Sequence, residues 1–432
     1  MGSTPSRRAG AGLRPGTRLA AADEANLTLD HAGQVNVFLI AGLLGPGGFL
    51  SARGIPDMDL LRRAVSTRIA TLPALRRVAV PVGRRHMWTD VAPDLDHHVR
   101  LAPAVEGLAG LERVCAALMD TPLPMDRPLW ELLIVPGASA DRNGMVLRIH
   151  HAIADGIAAV AIVRQLFEES APVPSVPRPE HGRSPETSLG TPLSAARRWR
   201  GNLHRIRVTF IHRRAGRTVL LGRRSATHGV ELVDCDLANL ASHARTVGAT
   251  VNDALLCAVA AGYRALLPAV GEPVPDWLTV SVPVGLRRRD RSANQVGVML
   301  VRLPLSEPDT DRRLRLIALQ TTRDKPQARA LGTLELMRGP IGARIMDGFG
   351  RHQRLVAGFV TDVPGPSGML RLGGAPVAAI WPVAVLAANV RCGVAAVSYA
   401  GRLSCGIHFD AAHIPGAAFA TGMRQAFAEL SA

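Results

Sequence analysis

The segment Ile149-His150-His151-Ala152-Ile153-Ala154-Asp155-Gly156 holds the residue types and spacing best suited to chemistry. Histidine can lose and regain a proton near neutral pH. One imidazole fixed in place can therefore deprotonate a hydroxyl or thiol and start acyl transfer. The apolar run 145–149 reads as a strand, and adjacent residues at a strand end point to opposite sides. Only one of the two rings can then face a given channel, so His151 is expected as the base and His150 as its structural partner. Asp155 is expected to pair with an arginine or a backbone donor and so hold the loop. Gly156 carries no side chain, which lets a substrate come close where the next helix begins. Neighbouring histidines are poorly placed to share one ion, and no metal site is expected.

The other signals are weaker. His97-His98 lacks the Asp-Gly and reads as a structural or substrate-loop feature. The chain has no G-x-S-x-G elbow, no P-loop and no G-x-G-x-x-G after a strand. Five scattered cysteines without C-x-x-C predict buried free thiols and a reducing cytoplasm rather than a disulfide or zinc framework. The net charge is +16, and Lys325 is the only lysine among the 51 basic residues. That balance fits a compositional arginine bias or an attraction to phosphates. No nucleic-acid-binding motif accompanies it, so no nucleic-acid partner is expected.

These residues need a scaffold, and 432 residues predict two domains. Residues 1–18 read as a disordered tail without a secretory signal. In 19–170, helices are expected at 19–29, 57–69 and 108–119, and strands at 35–44, 75–80, 86–89, 129–135 and 145–149. A further helix opens at Asp155-Gly156. Residues 171–230 read as a Pro-rich linker followed by a basic amphipathic helix candidate within 195–224. That segment is either a connector packing one apolar stripe or a membrane-surface helix. In 231–432, helices are expected at 237–247, 252–267, 311–322, about 331–355 and 415–430. Strands are expected there at 278–283, 296–303, 359–363, 377–386, 393–399 and 403–410. Interleaved helices and strands in both parts indicate an α/β or α+β class with mixed sheets.

The H-H-x-x-x-D-G motif resembles that of a superfamily including chloramphenicol acetyltransferase, peptide-synthetase condensation domains and bacterial wax ester synthase/diacylglycerol acyltransferases. Pro128-Leu129-Trp130-Glu131 is similar to the P-L-W motif of the wax ester synthase group, and Val251-Asn252-Asp253 to its N-D motif. Ser281-Val282-Pro283-Val284 with Asn294 resembles its V-P-V segment, and Ser398-Tyr399-Ala400-Gly401 its final hairpin. Thr361-Asp362-Val363-Pro364-Gly365-Pro366 resembles its S-N-V-P-G-P loop, with Asp362 and Thr361 where Asn and Ser are usual.

The resemblance implies two chloramphenicol acetyltransferase-like domains with a tunnel at their interface. It implies acyl-CoA as co-substrate, diacylglycerol or a long-chain alcohol as acceptor, and no cofactor. His151 matches the general base of the family. Asn252 matches a position near the reacting centre, and Asp253 and Trp130 join it as expected substrate-binding residues. The expected location is cytoplasmic, with a peripheral place at the inner membrane face or a lipid droplet. The alternatives are a superfamily acyltransferase acting on another hydroxyl, and a non-catalytic acyl-CoA- or lipid-binding paralogue.

Overall fold

The computed structural model describes residues 16–31, 35–83, 85–169, 216–285, 296–331, 344, 347–348, 350–366 and 368–432. It is a mixed α/β structure built on two large sheets. The first has seven strands in the order β5 (Val99–Leu101), β6 (Trp130–Val135), β7 (Asn143–His150), β2 (Val37–Leu44), β14 (Ala375–Val383), β13 (Leu370–Leu372) and β8 (Glu168–Glu169). The second has six, in the order β11 (Val296–Pro304), β10 (Trp277–Gly285), β12 (Gly358–Val363), β15 (Cys392–Tyr399), β16 (Arg402–Asp410) and β9 (His228–Asp236). A small third sheet joins β1 (Thr17–Arg18), β4 (Arg85–Asp90) and β3 (Arg77–Val82).

The helices follow from local sequence chemistry. In α2 (Met58–Ile69), Leu61, Val65 and Ile69 form the buried stripe, and the Asp57 carboxylate accepts the Leu60 N–H at 2.9 Å as N-cap. After the short α3 (Leu95–His98), α4 (Gly107–Asp120) buries Leu111, Cys115 and Met119 on the same spacing. α6 (Leu237–Thr246), α7 (Val251–Ala269), α8 (Thr310–Leu331) and α9 (Gly416–Glu429) accompany the second sheet, and residues of all four join its core. The central strands β2 and β7 are buried almost throughout, which is why both read as continuous apolar runs. All five cysteines are free and buried.

Several expectations need correction. Thr17 and Arg18, placed in the disordered tail, pair with Trp88 and Met87 of β4. β9 was not anticipated as a strand. Residues 216–224 form turns rather than a helix, and Leu221 makes a β-bridge to Val390. Residues 351–357, partly within the helix expected at about 331–355, are turns and coil. The linker at 171–192 and the rest of the basic segment lie outside the described residues.

The two halves of the chain also exchange structure. β14 leaves the C-terminal half and pairs antiparallel with β2, Trp381 opposite Ala41. It passes so close to β16 that a Cβ on Gly406 would sit 2.0 Å from the Pro382 carbonyl oxygen, so only glycine fits there. In return, α4 of the first half lies along the edge strand β9, where Glu112 accepts the Leu232 N–H at 2.9 Å. The Tyr399 hydroxyl reaches across from β15, donating to Val377 O at 2.7 Å and accepting from Leu370 N at 3.0 Å.

Candidate active site

β7 ends at His150, and His151 begins the turn that leads to α5 (Gly156–Leu166). The two rings have opposite fates, as the strand geometry requires. His150 is fully buried. Its Nδ1 accepts the backbone N–H of Ala152 at 2.9 Å, so the hydrogen of the neutral ring sits on Nε2. That Nε2 lies 3.3 Å from Asp30 Oδ2 on α1 (Ala21–His31). His151 is only half-buried and opens onto a cavity.

The His151 backbone is held at both ends. Its N–H donates to Asn36 O at 2.9 Å, and its carbonyl accepts from Asn26 Nδ2 at 3.1 Å. Asn36 Nδ2 donates to Asn26 Oδ1 at 3.0 Å and to Asn26 O at 3.1 Å, while the Asn36 N–H donates to Asp30 Oδ1 at 2.6 Å. The Phe38 ring lies 4.9 Å from the His151 ring. Burial, and secondarily His150 beside it, pushes the His151 imidazole down to about 4. At neutral pH the ring is uncharged and able to accept a proton.

Asp155 is the N-cap of α5, where Oδ1 accepts the Ala158 N–H at 2.8 Å. Gly156 lines the cavity, and a Cβ there would meet Val363 Cγ2 at 3.2 Å. The missing side chain thus keeps open the gap between α5 and β12 beside His151.

The cavity measures about 140 Å³ and draws its walls from both halves of the chain. β2 supplies Phe38, Leu39 and Ile40, and α5 supplies Ala159, Val160 and Val163. The crossover supplies Ile380, Pro382, Val383 and Ala384. β12 and β15 supply Thr361, Val363, Ala395, Ala396 and Val397, with Pro366 alongside. The lining is almost wholly aliphatic. Such a cavity suits a hydrocarbon chain, with the imidazole as the polar group at its wall.

The remaining expected site residues fall elsewhere. Trp130 is a core residue whose Nε1–H donates to Leu75 O at 2.8 Å and whose ring stacks on His98 at 4.6 Å. His98 in turn donates from Nδ1 to Trp130 O at 2.7 Å, which ties its buried ring into the core. Asp253 caps α7. It accepts Thr250 N at 2.8 Å and Thr250 Oγ1 at 2.7 Å on one oxygen, and Thr321 Oγ1 at 2.7 Å on the other. Asn252 sits half-buried in the first turn of α7, and neither it nor Trp130 or Asp253 lines the cavity. Sequence reading missed Asn26, Asp30 and Asn36. Their only sequence signal is a cluster of amide and carboxylate residues just ahead of a buried strand.

Two such sheets, each with its own helices and meeting at a shared cavity, define a chloramphenicol acetyltransferase-like fold. Residues 19–211 match the wax ester synthase/diacylglycerol acyltransferase catalytic domain, and residues 292–431 match the C-terminal domain of the same family. The chain belongs to that family of O-acyltransferases.

A relative in Mycobacterium tuberculosis whose name reads diacylglycerol O-acyltransferase is 27% identical over 380 residues, 76% of this chain and 77% of its own. One of the same description in Mycobacterium bovis is 29% identical over 355 residues, 75% of this chain and 76% of its own. Among solved structures, the wax ester synthase/diacylglycerol acyltransferase from Marinobacter aquaeolei VT8 aligns with a TM-score of 0.71 at 21% identity, covering 96% of this chain and 98% of that one. The starter condensation domain of rhizomide synthetase, solved with C8-CoA, aligns at 0.57 and 13% identity over 96% and 94%.

Proposed function

We propose that the protein transfers a fatty acyl group from acyl-CoA to the hydroxyl of diacylglycerol or a long-chain alcohol, with His151 as general base. The observation that carries this reading is the uncharged, backbone-clamped His151 ring at the wall of an aliphatic cavity between the two sheets. The acceptor hydroxyl gives its proton to the imidazole as its oxygen attacks the thioester carbonyl. The tetrahedral oxyanion collapses, the C–S bond breaks, and the imidazolium returns the proton to the CoA sulfur. One proton is borrowed and repaid, so the cycle as written needs no cofactor. The complex of the rhizomide condensation domain with C8-CoA supports a CoA thioester as donor, and the names of the relatives support diacylglycerol as acceptor.

Lipid acceptors place the enzyme at a membrane or lipid-droplet surface. No described helix is long and apolar enough to cross a membrane, so that association is peripheral in this reading. Flotation with anionic and neutral liposomes at low salt tests it.

The deciding experiment follows free thiol and lipid product with palmitoyl-CoA and hexadecanol or diolein. His151→Ala is expected to lower turnover by about 10²–10⁴-fold, the usual worth of a general base, with unchanged circular dichroism. Wild-type rates in that variant would remove His151 from the chemistry.

A further inference from the structure

A second histidine pair sits behind the cavity wall. His408, in β16, is 1% exposed. Its Nδ1 lies 2.7 Å from the carbonyl oxygen of Ala384, which directly follows β14 and lines the cavity. A carbonyl can only accept, so Nδ1 carries the hydrogen. His408 Nε2 lies 2.7 Å from Nδ1 of His228 at the start of β9. In a neutral ring that Nε2 is bare, so His228 Nδ1–H donates to it. His228 Nε2 faces Asp120 Oδ1 of α4 at 3.6 Å. The other charged groups facing the pair are Arg224 and Asp410.

Burial holds His408 down to about 3 and keeps His228 below its ordinary range. His408 is therefore neutral at pH 7, with its hydrogen on Nδ1. A leucine or phenylalanine would fill this space with no polar atom to desolvate. What histidine adds is a directed N–H on the Ala384 carbonyl and an acceptor that ties the wall to His228 of β9. The wall it holds, Pro382 to Ala384, belongs to the crossover and faces α5 and His151 across the cavity.

We propose that His408, fixed by His228, is a positioning residue for acyl transfer: it anchors the Ala384 carbonyl and so sets the cavity wall against which the acyl chain packs. This rests on the reading of the cavity as the acyl-chain site. It predicts an effect that grows with chain length and leaves the chemistry at His151 untouched.

The test uses the full chain with His408→Leu, which fills the space without a donor, and His408→Asn, whose amide can still donate toward Ala384. Binding of a fluorescent palmitate analogue is measured by titration, and kcat and KM with acetyl-, octanoyl- and palmitoyl-CoA. Losing one buried hydrogen bond costs about 1–3 kcal/mol, so His408→Leu is expected to weaken palmitate binding and raise the palmitoyl-CoA KM about tenfold. It is expected to leave kcat, and all values for acetyl-CoA, within about threefold of wild type. His408→Asn is expected to restore most of the binding. Unchanged palmitate binding in His408→Leu, equal losses at every chain length, or no recovery in His408→Asn would each overturn the proposal. Binding needs no turnover, so a wild-type enzyme inert toward acyl-CoA would count against the proposed reaction while the titration still decides the role of His408.

Discussion

Asp30 Oδ2 stands 3.3 Å from His150 Nε2, and the other Asp30 oxygen takes the Asn36 N–H at 2.6 Å. A single carboxylate on α1 thus reaches both supports of His151: the ring of its neighbour and the residue whose carbonyl holds its N–H. A mispositioned base loses rate because the geometry of the reacting atoms must be held closely.

Replacing that carboxylate should therefore act on turnover through position. In Asp30→Ala the Asn36 N–H loses its acceptor and the buried His150 Nε2 loses the carboxylate beside it, and stability should fall by about 1–3 kcal/mol. kcat should fall about tenfold, equivalent to roughly 1.4 kcal/mol of transition-state stabilisation, with little change in KM. Asp30→Asn keeps one acceptor oxygen and should recover most of the stability. Denaturant titration and steady-state kinetics check both, and full activity in Asp30→Ala would show that His151 needs no support from α1.

The pH dependence follows from four histidines whose pKa is lowered by burial: His151 to about 4, His408 to about 3, and His98 and His228 below the ordinary value of 6.5. In the unfolded chain each titrates near 6.5, so between that pH and the folded value the unfolded state binds more protons. The stability they contribute is fully present above about pH 6.5 and is lost progressively as pH falls toward 4 and 3. The melting temperature should drop across that range. With His151 as the proposed base, kcat/KM should stay level as pH falls from 8 to 6, because its imidazole protonates only near pH 4. An acid limb centred at 6.5 would mean that His151 in the working enzyme is not desolvated as the free structure shows.

Much of this was legible in the sequence, and the reasons differ by element. β2 and β7 are long apolar runs, and α2 and α4 repeat apolar residues at helical spacing, so local pattern alone locates them. His150 and His151 were separable because a strand end forces adjacent side chains apart. β9 was not legible, because its edge position against α4 breaks strict alternation, with Leu232 and Val233 both buried. The crossover of β14 was not legible either, since the register of Trp381 against Ala41 is a long-range choice with no local signature. Trp130 and Asp253 lie outside the cavity that His151 lines. Both stand in motifs matched by resemblance, yet their polar atoms are committed to Leu75 and to Thr250 and Thr321. A motif can persist because it caps a helix or packs a core, not because it touches substrate.

Gln320 carries the last prediction. β11 is an edge of the second sheet, and an open edge invites pairing with another chain. Gln320, on α8, places its carboxamide over that edge. Its Oε1 accepts the Arg302 N–H at 3.3 Å and its Nε2 donates to Leu300 O at 3.4 Å. These two backbone groups flank Val301 and point outward, where a neighbouring strand would otherwise bond. The side chain therefore completes a short stretch of ladder. Nearby Val298 is 58% exposed and offers apolar surface to any strand that docks. Gln320→Ala should cost about 0.5–1.5 kcal/mol of stability and shift the protein toward larger species with rising concentration. Gln320→Glu retains the acceptor but not the donor, and should fall between the two. Sedimentation velocity over a concentration series reads the effect, and an unchanged distribution in Gln320→Ala would mean that the β11 edge is guarded by something other than this side chain.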